Sequence, residues 1–271
     1  MPAREQLELI KRATVAIALV PDKPPEDRRK TPFLIVGSGF CVDPDGIVIT
    51  CEHVLRAFSP GIREAIAAEP KGDQAPGIRP LRGLRMLVPH ALFFVPGPTD
   101  EQLSVLQVRV AHAVAKLEYD LGAIRVWPHA GFSSGFPALG VEPFGNVYEG
   151  MELATCGFPL GNALQEQLGT MTSSFTRGIL SSIAPAANAR EELVTGYQLD
   201  ITATFGNSGG PVFSWSTGRV LGVLQGGPKR DSGEPVPGLA RAEPIYRILR
   251  DSTLVRLKAQ PLGHPPEGLT A

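Results

Sequence analysis

The sequence predicts an all-β body built as two barrels and closed by a C-terminal helix. Three observations carry this reading. Glycine (30) and proline (26) together make up about a fifth of the 271 residues, nearly twice ordinary usage, with no collagen period. Such punctuation suits many short strands joined by turns and weighs against a helical bundle. Two series of short apolar runs are separated by a Gly/Pro-rich stretch from Phe132 to Phe144. After Pro244 the apolar period becomes helical, with Ile245, Ile248 and Leu249 at i, i+3 and i+4.

Taken in order, residues 4–12 fit one or two helical turns, and Thr14 to Val20 reads as a strand. The charged, Pro-rich run Pro21 to Lys30 is a loop. Phe33 to Val42 and Ile47 to Thr50 flank Asp43-Pro44-Asp45-Gly46, which makes a hairpin because Pro presets φ and Gly accepts φ > 0. Strand-like pieces follow at 84–87, 92–95, 106–110 and 121–126. The second series comprises 152–156, 171–175, 178–182, 193–202, 212–214 and 219–225. This places a first barrel at about 14–130, a second at about 145–242 and the helix at about 244–257. An insertion in the first barrel is read within 58–110.

Composition narrows the function. Lys+Arg is 26 and Asp+Glu is 27, a net charge of −1, which argues against a protein built to grip nucleic acid or an anionic membrane. No run approaches the ~18 apolar residues of a membrane span. The apolar run Ala16 to Val20 has acidic residues upstream and Pro-Asp-Lys-Pro-Pro after it, unlike a signal peptide. A cytoplasmic location is expected. Cys41, Cys51 and Cys156 are odd in number and form no C-x-x-C, so neither a disulfide framework nor a zinc ribbon is indicated. Cys51 and His53 are two potential metal ligands, but nothing nearby in sequence supplies the others. No metal and no cofactor are expected, and three free, buried thiols are.

The sharpest motif is Gly206-Asn207-Ser208-Gly209-Gly210-Pro211. Glycines around one serine permit unusual backbone angles and close approach by another chain segment. His53 ends an apolar hairpin strand in Thr50-Cys51-Glu52-His53-Val54, and Asp120 opens a strand in Tyr119-Asp120-Leu121-Gly122. Each alone is ordinary; their order, His then Asp then Ser, is one of the chain orders of a catalytic triad. A serine hydroxyl is a poor nucleophile until a base takes its proton. An imidazole, with an ordinary pKa of about 6.5, is such a base near neutrality, and a carboxylate fixes its tautomer. Backbone amides of the glycine loop then supply an oxyanion hole from Gly206, Asn207 and Ser208.

These motifs resemble those of trypsin-like serine peptidases, most nearly the HtrA (Deg) branch and related bacterial enzymes. Gly37-Ser38-Gly39-Phe40 followed by Ile49-Thr50-Cys51-Glu52-His53-Val54 is similar to that family's base-bearing hairpin. Asp120-Leu121-Gly122, Gly157-Phe158-Pro159-Leu160-Gly161 and Ala242-Glu243-Pro244 match further family segments in the expected order. The resemblance runs from about Thr14 to Leu249 and implies a single chymotrypsin-like domain of two six-stranded barrels, without a PDZ module. It implies a serine endopeptidase acting through an acyl-enzyme on a protein or peptide substrate. It also places a substrate pocket at Thr202, Val223, Leu224, Gln225 and Gly226, none of them charged, which favours uncharged side chains.

The chain departs from secreted trypsins in carrying Asn207 where they carry an aspartate, and it lacks their Ile-Val-Gly-Gly start. Activation by loop ordering or by an activating protein partner is therefore expected. The 58–110 insertion is expected to border the cleft. Two rivals remain. Gly206 to Gly210 also fits the G-x-S-x-G elbow of α/β-hydrolases, but a strand-like Pro-Val-Phe follows and the only later histidine is His264. The other is a trypsin fold kept as a catalytically silent binding or scaffold module.

Overall fold

The computed structural model describes residues 2–22, 33–60, 87–97, 103–161, 171–228, 230–231 and 236–262. Helix α1 (Arg4–Ala13) leads into β1 (Thr14–Pro21), β2 (Leu34–Asp43) and β3 (Ile47–Cys51), followed by the single-turn α2 (Glu52–Leu55). Strands β4 (Leu87–Pro96), β5 (Leu103–Lys116) and β6 (Leu121–Val126) complete a closed antiparallel barrel in the order β1-β2-β3-β6-β5-β4. A second closed barrel uses β7 (Glu152–Gly157), β8 (Ser174–Ala184), β9 (Gly196–Leu199), β10 (Pro211–Ser214), β11 (Val220–Gly226) and β12 (Ala240–Pro244), in the order β10-β11-β12-β9-β8-β7. Two short helices, α3 (Tyr246–Leu249) and α4 (Ser252–Ala259), end the described chain. Closure pairs each of the six strands of a barrel with two neighbours, so neither sheet has an edge strand. Among the described residues no helix is long and apolar enough to cross a membrane.

The β2–β3 hairpin forms as its turn chemistry requires. Gly46 takes φ 82°, its amide reaches the Asp43 carbonyl at 3.0 Å, and the Asp45 amide reaches the Asp43 carboxylate at 2.9 Å. Cys41 lies opposite Val48, as the turn position predicts.

Two expectations are corrected. Residues 58–110 are not an addition to the barrel in their described parts. Leu87–Pro96 pairs with β1 and closes the barrel, and Leu103–Lys116 pairs with β6. The apolar residues Leu92, Phe93, Phe94 and Val95 belong to a barrel wall, and Phe93 stacks with Phe132 and Phe136 at 4.9 and 5.2 Å. The rest of that stretch, with Leu84 and Met86, lies outside the described residues. The C-terminal helix, in turn, is two. Asp251 takes an extended backbone and its carboxylate accepts the Thr253 amide at 2.7 Å, so it caps α4 and separates it from α3.

The ends of the chain tie the barrels together. Leu254 and Leu257 of α4 pack into the first barrel's core, where Phe40, Phe93 and Leu121 are also buried. Burying each such side chain stabilises by roughly 1.5–3 kcal/mol. Arg125 of β6 donates to the Lys258 and Gln260 carbonyls at 2.8 and 2.6 Å, satisfying the open end of α4. Lys258 pairs with Asp43, and Lys116 with Asp251 at 2.9 Å.

Cys41, Cys51 and Cys156 are buried and free. Burial pushes the Cys41 thiol up to about 12 and raises those of Cys51 and Cys156 as well. The native protein is expected to resist alkylation at all three, with full labelling only on unfolding. Intact mass should be the same before and after reduction, and a two-hydrogen gain would overturn this.

Glu243 of β12 is buried, with Arg247 at 3.1 Å and the largely exposed Arg241 at 3.6 Å. Loss of solvation pushes its carboxyl up to about 7; the two arginines pull it down, and Asp120 adds a smaller upward push. A raised carboxyl means the folded state holds the proton that the unfolded chain has released. Stability therefore falls as pH rises from 4.5 through about 7. The Tm of wild type minus that of Glu243→Gln should decrease steadily across that window. A constant difference would refute the assignment.

Candidate active site

The base-bearing turn follows from barrel register. β3 lies between β2 and β6, and Cys51 at its end pairs with Leu121 at the start of β6. The next residues outward on the two strands are Glu52 and Asp120, joined by a bond from the Glu52 amide to the Asp120 carbonyl at 3.2 Å. The chain then turns into α2, and His53 projects beside Asp120. One carboxylate oxygen of Asp120 accepts the His53 amide at 2.9 Å, and the other accepts Nδ1 at 2.7 Å. A carboxylate only accepts, so Nδ1 carries the proton and Nε2 is left as the free nitrogen. Asp120 adopts a left-handed backbone, φ 50° and ψ 39°, at the end of a short turn over 117–119. Aspartate tolerates this region better than most residues.

Glu52, buried beside the base, is held by Arg56 through bonds of 2.9 Å to both carboxylate oxygens. The sulfur of Cys51, Asp120 oxygen and His53 nitrogen fall within 4.8 Å of one another. Two of these groups are bonded to each other, and the third is a buried thiol raised well above its ordinary value and donating to the Leu224 carbonyl at 3.3 Å. That chemistry suits an acid–base pair better than a metal centre, since a thiol must lose its proton to ligate.

The serine loop is walled by backbone from both barrels. At Gly206, φ is +93° and a Cβ would lie 2.2 Å from the Phe158 carbonyl. At Gly209, φ is +88° and a Cβ would lie 2.1 Å from the Ser38 carbonyl. Ser38 of β2 binds the loop directly. Its amide donates to the Ser208 carbonyl at 2.8 Å, its hydroxyl donates to the Gly206 carbonyl at 2.7 Å, and that hydroxyl accepts the Phe158 amide at 3.0 Å.

The Phe205 carbonyl accepts the Leu160 amide at 2.6 Å. In a planar trans peptide the N–H opposes the C=O, so the Gly206 N–H points away from Leu160. Among the described residues neither the Gly206 nor the Ser208 amide has an acceptor in the protein. The Asn207 amide does: it closes a turn onto the Thr204 carbonyl at 3.1 Å. Of the three amides expected to form an oxyanion hole, Asn207 is thus removed, because its N–H is consumed by the turn that shapes the loop.

Ser208 differs from expectation as well. Its hydroxyl donates to the Gln225 carbonyl at 3.0 Å, and no bond joins it to His53. Here the Gln225 carbonyl takes the hydroxyl. The expected pocket is also revised. Val223 and Leu224 are fully buried in the cores, since both faces of β11 are covered, and neither side chain lines a cleft. Leu224 acts through its carbonyl, which accepts the Gly209 amide at 2.7 Å. Thr202 is exposed, with its hydroxyl accepting the Gly238 amide at 3.0 Å. Gln225 and Gly226 are half-buried, and Gly226, at φ +130°, leaves open space toward the Ser208 hydroxyl.

Sequence reasoning missed Phe205 and Leu160, large apolar side chains left half-exposed beside Gly206. The available signal was Phe205 standing directly before the glycine loop. Their exposure beside a polar loop marks an apolar rim.

The chain's fold is shared by solved protease structures. One is described as HtrA-type protease AlgW with decapeptide: TM-score 0.55, 15% identity, covering 94% of this chain and 67% of that one. Another is Deg5, with TM-score 0.57, 16% identity, 94% of this chain and 93% of that one. No curated protein matches the sequence. Residues 37–223, more than half of the chain and including His53, Asp120 and Ser208, match the family described as Trypsin-like peptidase domain, and the chain belongs to that family.

Proposed function

We propose that this protein is a serine endopeptidase that hydrolyses a specific protein substrate, with Ser208 as nucleophile, His53 as base and Asp120 as the acid that orients it. The observation that carries this is the His53–Asp120 pair, which holds Nδ1 on the carboxylate and leaves Nε2 as the free nitrogen of the neutral ring. The Ser208 hydroxyl turns from the Gln225 carbonyl to Nε2 and gives up its proton as the oxygen attacks the scissile carbonyl. Negative charge on the former carbonyl oxygen is met by the Gly206 and Ser208 amides. His53 hands the proton to the leaving amine, and water then hydrolyses the acyl-enzyme by the same base. The decapeptide in the AlgW description supports an extended peptide as substrate. Phe205, Leu160, Thr202 and Gln225 around the site carry no charge, which favours an uncharged residue at the cleaved position. A substrate or an activating protein partner that takes the Gln225 carbonyl frees the hydroxyl for His53. Three protonated, unpaired thiols suit a reducing compartment such as the cytoplasm.

The bond from Ser208 to Gln225 favours one second reading, a silent binding module in which the serine never reaches its base. A fluorophosphonate probe separates the two. It should label wild type at Ser208 and leave Ser208→Ala untouched. Folded wild type that resists the probe, with and without candidate peptides, would establish the silent module. Asp120→Asn should slow labelling by about 10⁴-fold with little loss of Tm, because the wrong tautomer is then held.

Gly206→Ala places a Cβ 2.2 Å from the Phe158 carbonyl and forces the loop to move. The rate should fall by at least about 10²-fold, the effect of losing one oxyanion donor. An active Gly206→Ala variant would argue that the oxyanion site lies elsewhere.

A further inference from the structure

The acid turn that precedes β6 is weakly built by itself. Leu117 and Glu118 point to solvent, and the turn's own backbone bond is the Asp120 amide to the Leu117 carbonyl at 3.2 Å. Asp120 nevertheless holds a left-handed conformation and three bonds to His53 of 2.7, 2.9 and 3.0 Å. Such a backbone persists only when its surroundings over-determine it.

The second barrel supplies those surroundings at Tyr119. The Gln225 side-chain amide, from β11, donates to the Tyr119 carbonyl at 2.8 Å. From α3, the Arg247 guanidinium sits over the Tyr119 ring, 4.5 Å from its centroid. Arg247 is itself fixed by Glu243 at 3.1 Å and by a 2.5 Å bond to the Val194 carbonyl. We propose that Gln225 and Arg247 are positioning residues: they clamp Tyr119 from the second barrel and so set the Asp120 carboxylate against His53.

The Tyr119 carbonyl belongs to the peptide that joins Tyr119 to Asp120. Holding that oxygen orients the whole planar peptide, and with it the φ of Asp120. The ring contact fixes the other side of the same residue; a stacked guanidinium on an aromatic face is worth ~0.5–2 kcal/mol. Gln225 also carries the carbonyl that accepts the Ser208 hydroxyl. One residue therefore links the acid turn of the first barrel to the nucleophile of the second. Neither Gln225 nor Arg247 touches the reacting atoms through its side chain, so both act through Tyr119. The ionisable groups around this clamp are His53, Cys51 and Asp120 on the first barrel's side, Glu118 beside the Tyr119 hydroxyl, and Glu243 and Arg247 on the second.

The catalytic meaning of the clamp rests on the peptidase reading above, and the test separates the two. Gln225→Met keeps the length and the main-chain carbonyl but removes the donor. Arg247→Lys keeps the charge that faces Glu243 but removes the planar stack. Two measurements are made on wild type and both variants, with Tm as the folding check. The first is the far-downfield NMR resonance of the His53 Nδ1 proton and its exchange with water. The second is the rate of fluorophosphonate labelling at Ser208.

In Gln225→Met the Nδ1 proton should exchange roughly tenfold faster, the shift expected from losing one hydrogen bond, and Arg247→Lys should move it in the same direction by less. Labelling should slow by about 10- to 100-fold in Gln225→Met. Folded variants whose Nδ1 proton exchanges as in wild type overturn the clamp, whatever the labelling shows. A wild type that is never labelled, but whose Nδ1 proton responds to Gln225→Met, overturns the peptidase reading and upholds the clamp.

Discussion

The site depends above all on the seam made by Ser38. Its amide and hydroxyl donate to the Ser208 and Gly206 carbonyls, its hydroxyl also accepts the Phe158 amide, and its own carbonyl accepts the Thr50 hydroxyl at 2.7 Å. Every polar group of this buried residue is used. Because a buried polar group without a partner costs a few kcal/mol, the serine loop of the second barrel cannot drift from the first without breaking several bonds together. The glycines follow from that closeness. Gly209 lies where a Cβ would collide with the Ser38 carbonyl and the Thr50 hydroxyl, so the residue type is dictated by the seam rather than by the turn alone.

A second constraint is charge in a dry place. Glu243 and Arg247 form a buried pair between the second barrel and the acid turn, and such pairs add little net stability because desolvation offsets most of their attraction. Their worth lies in orientation. Arg247 meets Glu243, the Val194 carbonyl and the Tyr119 ring at once. With the Ser38 seam on one side and Tyr119 on the other, the two barrels meet at the site through several directional contacts as well as through the apolar core that runs between them.

Local chemistry written in one stretch of chain was legible in advance. The Asp43 to Gly46 hairpin, the glycine loop, the strand that Asp120 opens and the helical period after Pro244 each depend on neighbours in sequence, and each forms, the last divided in two at Asp251. Where the reading failed, a distant segment decided. Residues 87–96 looked like part of an insertion because nothing local says that Ala16 to Pro21 will pair with them. Val223 and Leu224 looked like a pocket wall because burial on both faces of a strand depends on what covers each face.

By itself, then, the sequence determined two strand series, their turns, three unpaired cysteines, and a histidine, an aspartate and a glycine-flanked serine in one order. Tertiary structure alone decided how these meet. The β3–β6 register brings Asp120 to His53, and Gln225 takes the Ser208 hydroxyl. The physical reason is that a hydrogen bond is awarded to the nearest well-aligned acceptor. For these groups that choice is set by barrel closure, between atoms far apart along the chain.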